Sequence, residues 1–129
     1  MRFSISRESF LGPLQMVSGV IERRQTLPIL SNVLMVLEGS ELSLTGTDLE
    51  VELIGRVKVD SAMLAGSITV PARKLVDICK SLPDGSFIEI TAAENKVLLK
   101  SGRSRFTLSA LTASDFPKVD EEPDSFSLE

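Results

Sequence analysis

Three carboxylates stand close together near the middle of the chain. Asp48, Glu50 and Glu52 lie in the stretch TGTDLEVEL, and carboxylates grouped in this way can hold a divalent cation or transfer protons. They alternate with apolar residues, however, and a period of two is typical of a half-buried strand. The pattern favours a solvated strand face for Glu50 and Glu52 and a turn position for Asp48. A metal hydrolase built on these carboxylates is the weaker alternative.

The chain has one cysteine, which is a candidate nucleophile. Cys79 stands in PARKLVDICKSL, where Leu75, Ile78 and Leu82 mark one face of a predicted helix. The chain contains no histidine, so a cysteine or serine nucleophile lacks its usual base and zinc lacks its commonest nitrogen ligand. The pattern therefore indicates a buried structural thiol in a reducing compartment.

Two cations occupy the first turn of the same predicted helix. Arg73 and Lys74 follow Pro71, although the partial positive charge at a helix start favours acids by about 0.3 to 1 kcal/mol. Such a violation of a local rule is typical of a functional site, and these side chains suit a phosphate group. The alternative is an ordinary ion pair between Arg73 and Asp77, four residues on.

A second basic pair lies in KSGRSRFTLSAL near the carboxyl end. On a predicted strand, Arg103 and Arg105 face one side, while Phe106 and Leu108 face the other. If this strand is a sheet edge, the four side chains and its free backbone groups can receive a partner. The pattern fits equally well a core strand with solvated arginines, and a protein-interaction module that works through this strand stays open as an alternative.

The elements that carry these residues repeat. Strands are predicted at 2–6, 29–38, 41–45 and 49–59, with a helix at 7–24 after the first; strands at 67–70, 87–91, 97–100 and 104–111 surround a second helix at 71–82. The order strand, helix, strand, strand, strand thus occurs twice, and the helices begin about 72 − 7 = 65 residues apart. The pattern predicts an α+β fold of antiparallel sheet with both helices on one face.

Length and charge set the domain organisation. The 129 residues suit one domain, and we expect a cytoplasmic protein because no apolar run approaches the roughly 20 residues of a membrane-spanning helix. Residues 115–129 hold six acids and one lysine, a charge of −5, whereas the rest has 13 bases and 12 acids, or +1. We expect a domain at 1–114 and, at 115–129, an acidic linker with the first residues of a further domain.

Six stretches together carry a resemblance to a known family. They are TLPILSNVL, LSLTGTDLE, TVPARKLVDIC, LPDG, SGRSRFTLS and DFP, and in this order they run across nearly all of the chain. The chain resembles the amino-terminal domain of the bacterial DNA polymerase III beta subunit, the sliding-clamp family. The resemblance covers the first of the three similar domains of that family.

The resemblance implies a non-catalytic function without a cofactor. It implies a homodimeric ring that encircles duplex DNA and tethers the replicative polymerase, with the helices facing the hole. Arg24 and Arg73 match positions that contact DNA in the family. The face toward the second subunit is matched by Lys74, Arg103, Arg105, Phe106 and Leu108. Polymerase, clamp loader and repair factors are implied as partners of later domains.

Overall fold

The computed structural model describes residues 1–21 and 28–117. Within them, nine strands, two α-helices and two short 3-10 helices follow one another. The helices are α1 (Arg7–Ser18) and α2 (Ala72–Ser81), and the 3-10 helices are Pro28–Ser31 and Ala113–Asp115. The strands are β1 (Arg2–Ser6), β2 (Asn32–Glu38), β3 (Glu41–Thr47), β4 (Glu52–Lys58), β5 (Ser61–Leu64), β6 (Gly66–Pro71), β7 (Phe87–Ala93), β8 (Lys96–Ser101) and β9 (Ser104–Ser109).

The predicted repeat of strand, helix and three strands is confirmed. α1 begins at Arg7 and α2 at Ala72, which are 72 − 7 = 65 residues apart. The first unit carries one additional strand, β5, that was not predicted. All four of its residues are exposed, so it lacks the alternation of buried and exposed side chains on which a strand prediction depends.

Helix α1 ends earlier than predicted, at Ser18 rather than residue 24. After it, the N–H of Gly19 donates to the Met16 carbonyl at 3.2 Å, and the N–H of Ile21 donates to the Ser18 carbonyl at 3.1 Å. These bonds span three residues instead of four, so the chain has left the α-helix. Glycine has a low helix propensity, which explains why the helix stops there.

Each of the two sheets takes strands from both units. One sheet has the order β5-β1-β7-β8-β9 and the other β4-β3-β2-β6. The first strand of each unit pairs with the strand that follows the helix in the other unit: Phe3 of β1 stands opposite Ile90 of β7, and Val33 of β2 opposite Val70 of β6. All of these pairings are antiparallel. The two units therefore interlock, and neither sheet can be built from one unit alone.

Both helices bury an equivalent apolar stripe in the core. The buried residues of α1 are Phe10, Leu14 and Val17. Adding the repeat length of 65 gives Leu75, Cys79 and Leu82, which are buried as well. These six side chains belong to one core cluster with inward-facing residues of both sheets. The core therefore holds both helices against the second sheet and against each other, and it leaves their opposite faces for other contacts.

Helix α1 approaches the second sheet closely at one glycine. A Cβ atom added to Gly46 of β3 would lie 2.5 Å from the Val17 carbonyl oxygen and 3.2 Å from Cδ1 of Ile21. Real Cβ atoms do not come so near to backbone oxygen. Glycine at this position is therefore what allows the end of α1 to rest on the sheet.

No helix in the described residues is long and apolar enough to cross a membrane.

Candidate functional site

The carboxylate at position 48 shapes a turn. Asp48 Oδ1 accepts hydrogen bonds from the N–H groups of Glu50 at 2.9 Å and Val51 at 2.8 Å. These two bonds, that of Val51 first, hold the pKa of Asp48 below its ordinary value. The backbone of Leu49 between them has a φ of 82°, which the surrounding bonds impose. The predicted turn position of Asp48 is confirmed.

The rest of the carboxylate cluster differs in part from the prediction. Glu50 lies in the turn, not on the strand, and Glu52 is exposed at the start of β4. Leu49 and Val51, which the alternation placed on an apolar face, are about half exposed, at 51% and 49%. The side chains that bend the backbone at 48–51 break the period of two before β4 begins. Among residues 1–21 and 28–117, no three His, Cys, Asp or Glu side chains are grouped so that they could hold a metal.

The thiol of Cys79 is structural. It lies fully buried on the inner face of α2, in contact with the core cluster. Burial raises its pKa to about 12, because the apolar surroundings disfavour the thiolate. A protonated, covered thiol is a poor nucleophile. The interpretation of Cys79 as a buried structural residue is confirmed.

The two cations at the start of α2 point away from the core. Arg73 and Lys74 are exposed, while Ala72 before them and Leu75 after them are buried. Asp77 is exposed too, but no ion pair joins it to Arg73, and neither cation has a carboxylate partner within the described part of the chain. The alternative in which Asp77 neutralises Arg73 is therefore not what the structure shows.

A cleft of about 360 Å³ lies between the end of α1 and the outer face of α2. Arg73 and Lys74 line it together with Lys80, which comes two turns later on α2. Lys80 lies seven residues after Arg73 on α2, so the helical period places both side chains on the same face. Arg24, which the resemblance matches to a DNA-contacting position, lies outside the described residues.

The second basic pair lies at a sheet edge. β9 is the last strand of its sheet and pairs only with β8 among the described elements. Arg103, in the turn before β9, and Arg105 are exposed, and Arg105 stands opposite Lys100. The edge position of this strand is thus observed, and the exposed arginines fit both alternatives that the sequence left open.

The apolar pair of β9 faces the opposite way from its arginines. Phe106 is half-buried and packs against the core cluster, whereas Leu108 is buried at 6% exposure. Phe106 therefore keeps an accessible part at the edge, and Leu108 supports the strand from within the core. This places Arg103, Arg105 and Phe106 on one edge; Leu108 holds that edge to the body of the fold.

Comparison with known proteins agrees with this architecture. A family model described as "DNA polymerase III beta subunit, N-terminal domain" matches residues 1–120. The chain belongs to this family. A beta sliding clamp of Pseudomonas aeruginosa is 65% identical over 128 residues, which are 99% of this chain and 35% of that protein. A beta sliding clamp of Pseudomonas putida is 64% identical over 125 residues, 97% of this chain and 34% of that protein.

A solved structure of the DNA polymerase III beta subunit family has the same fold. The crystal structure of the Pseudomonas aeruginosa sliding clamp bound to griselimycin superimposes with a TM-score of 0.91 and 66% sequence identity. The similarity covers 95% of this chain and 33% of that one. The predicted α+β clamp-domain fold is therefore confirmed. The chain spans about a third of the length of these relatives.

Proposed function

We propose that this chain is the first domain of a sliding clamp, a ring-shaped homodimer that encircles duplex DNA and tethers the replicative polymerase. The observation that carries the proposal is the edge position of β9, which pairs only with β8 among the described elements, with exposed Arg103 and Arg105 and a half-buried Phe106, in a chain of this family. A ring needs such an edge on each domain, because every domain must be joined to a neighbour on either side.

The outer face of α2 is the proposed DNA-facing surface. Arg73 is exposed there, and Arg24, which lies outside the described residues, is proposed to contact the phosphate backbone with it. A closed ring holds DNA by topology, so its cations need only long-range, sequence-independent attraction. At physiological salt that attraction is screened over about 8 Å. Contacts this weak allow the ring to slide.

The edge of β9 is the proposed subunit joint. An extended strand of the second subunit would pair with the free backbone groups of β9, as in other cases of strand addition. Arg103, Arg105 and the exposed Lys74 would meet carboxylates of the partner, and Phe106 would be covered by apolar side chains. Leu108 contributes by keeping the strand in place, since it is already buried in the core.

The proposed clamp function needs no catalytic residue and no cofactor. We propose a cytoplasmic protein in which residues 1–114 are the first clamp domain and residues 115–129 lead into the next. Phe116, at the end of the described chain, is buried, so packing continues slightly past residue 114. Polymerase, clamp loader and repair factors are proposed to bind to other parts of the full-length protein.

Retention on DNA tests the proposal. The full-length protein would be loaded onto a nicked circular duplex and onto the same duplex after linearisation, and bound protein would be followed after a salt wash. A sliding clamp stays on the circle and runs off the linear ends. Equal loss from both substrates, or equal retention on both, would contradict the proposal. Blocking the linear ends with bound protein should restore retention, which separates topological holding from simple affinity.

A further inference from the structure

The chain that leaves β9 is tied to both sheets. β9 is the edge of one sheet, and β6 is an edge of the other. Directly after β9, the N–H of Ala110 donates to the Asn95 carbonyl at 2.9 Å, in the turn between β7 and β8. The next residue, Leu111, exchanges two backbone hydrogen bonds of 3.0 Å with Thr69 of β6. The carboxyl end of β9 is therefore fastened to its own sheet and to the other one.

Two buried polar side chains strengthen the contact with Leu111. The hydroxyl of Thr69 donates to the Leu111 carbonyl at 3.0 Å and accepts a hydrogen bond of 3.0 Å from Nδ2 of Asn32 on β2. Thr69 is 0% exposed and Asn32 is 5% exposed. The Leu111 carbonyl thus accepts from both the N–H and the hydroxyl of one threonine. We call Asn32, Thr69 and Leu111 the latch.

The latch is more polar than the pairing of β6 with β2 requires. That pairing uses backbone groups, and an apolar β-branched residue such as valine suits a strand as well as threonine does. Burial of a hydroxyl or an amide costs free energy unless a hydrogen bond compensates. The hydroxyl of Thr69 adds a second bond to Leu111 and a partner for Asn32. The buried polar pair therefore serves the segment that follows β9.

The latch lies at one end of a strand whose position matters. A slip of β9 by one residue would exchange the faces of Arg105 and Phe106, because side chains alternate along a strand. The tight turn that pairs Ser101 with Ser104 fixes the start of β9, with Gly102 at a φ of 58°, and the latch fixes its end. Between these points β9 pairs only with β8 among the described elements, so its two ends determine where the edge stands.

We propose that Thr69 and Asn32 are positioning residues of the subunit joint. Both side chains are buried within the fold, so they act through Leu111, which holds the end of β9 where Arg105 and Phe106 meet the second subunit. A strand that is already held in place loses less conformational entropy when a partner binds. The proposal rests on the proposed joint at β9 and names the residues that give the joint a defined geometry.

Two substitutions of Thr69 in the full-length protein test the proposal. Thr69→Val keeps the branched shape but removes the hydroxyl, so the dimer dissociation constant from analytical ultracentrifugation should rise by about fivefold or more. Thr69→Ser keeps the hydroxyl and should stay within about twofold of the parent. Gly46→Ala, on β3 of the same sheet as β6, controls for lost stability and should also leave the constant within about twofold. An unchanged constant in Thr69→Val, or an equal rise in Thr69→Ser or Gly46→Ala, would overturn the positioning role.

Amide hydrogen exchange in the same variants reports on the latch directly. In Thr69→Val, the amides of Ala110 and Leu111 should exchange about tenfold faster than in the parent, while those of β3 change less. Equal acceleration at β3 would indicate general unfolding and would overturn the latch. A full-length parent that does not dimerise would reject the proposed joint, and the positioning role with it, even where exchange confirms that Thr69 holds Leu111. A dimer that does not respond to Thr69→Val rejects the positioning role alone, so the two failures are distinguishable.

Discussion

The guanidinium of Arg7 donates a hydrogen bond of 2.8 Å from Nε to the backbone carbonyl of Cys79. The bond joins the first residue of α1 to the last turn of α2. Nη1 of the same side chain contacts the carboxylates of Glu8 at 2.9 Å and Asp84 at 3.2 Å. Only 14% of the Arg7 side chain is exposed. This arginine therefore ties the two units together and does not contribute to the basic outer face.

Loss of the Arg7 side chain should destabilise the fold. Arg7→Ala leaves the Cys79 carbonyl without its charged donor, so we expect the free energy of unfolding to fall by about 1 to 3 kcal/mol. Urea denaturation would measure it. Arg56→Ala, an exposed arginine on β4, is the control and should change stability by less than about 0.5 kcal/mol. Similar losses in the two variants would show that the interhelical bond contributes nothing.

Two glycines should respond in opposite directions to the same substitution. Gly46→Ala forces a Cβ to within 2.5 Å of the Val17 carbonyl oxygen, which should cost about 1 to 3 kcal/mol of stability. Gly12, inside α1, has open space where its Cβ would be, so Gly12→Ala should stabilise by about 0.5 to 1 kcal/mol. Thermal unfolding measures the stability of both variants. A Gly46→Ala protein as stable as the parent would mean that α1 does not rest on β3 as described.

Asp48 should give the fold a dependence on acid pH. Hydrogen bonds from Val51 and Glu50 lower the pKa of Asp48 in the folded state. Its contribution to stability is therefore complete above the ordinary aspartate pKa of about 3.9 and is lost as the pH falls through the lower, folded value. Urea midpoints of the parent and of Asp48→Ala should converge as the pH falls from 5 to 2. Glu52→Gln, at an exposed strand position, should run parallel to the parent, and a constant gap for Asp48→Ala would contradict the assignment.

The thiol of Cys79 should be unreactive in the folded protein. Burial raises its pKa to about 12, so the thiol stays protonated at pH 8, and burial blocks access as well. We expect no reaction with a thiol reagent at pH 8 on a timescale that labels a free cysteine peptide. Full labelling is expected in 8 M urea, which serves as the internal control. Rapid labelling without denaturant would show that α2 opens readily.

Charge reversal at the β9 edge should affect assembly before DNA binding. In the full-length protein, Arg103→Glu with Arg105→Glu should raise the dimer dissociation constant by at least about tenfold. Both residues are exposed, so the fold should tolerate the change. Analytical ultracentrifugation measures the dimer dissociation constant. The affinity for linear duplex DNA, measured in parallel, should change by a smaller factor. Arg56→Glu with Lys58→Glu, at two exposed positions of β4 in the other sheet, controls for the altered charge. A dimer dissociation constant equal to that of the parent would contradict the proposed subunit joint.

Local patterns were enough to predict most of the fold. The helical stripes at Phe10, Leu14 and Leu75 and the alternation of β7 to β9 are visible in the sequence because burial imposes a period. β5 was missed because none of its residues is buried, and the end of α1 was placed too late because Ile21 continues the stripe beyond the helix. β5 depends on its pairing with β1, which a local window does not contain, whereas the glycine that ends α1 is visible in the sequence.

Some candidate sites could be assigned from local sequence, and others depended on tertiary structure. Asp48 and Cys79 could be assigned from their neighbours in the sequence, because a turn and a helical stripe are local features. The edge position of β9 could not be chosen over a core position, since strand order depends on which units pair. The shared cleft of Arg73, Lys74 and Lys80 likewise depends on the packing of α1 against α2, which no spacing along the chain specifies.

The exchange of strands between the two units governs how this chain reaches its native state. Phe3 must meet Ile90, which is 90 − 3 = 87 residues away, before β1 has its neighbour on that side. Such distant pairings carry a large loop-closure entropy, so folding is expected to be slow and to proceed in one cooperative transition. A destabilising change in either half then lowers the stability of the whole, since neither half holds a complete sheet that could survive by itself.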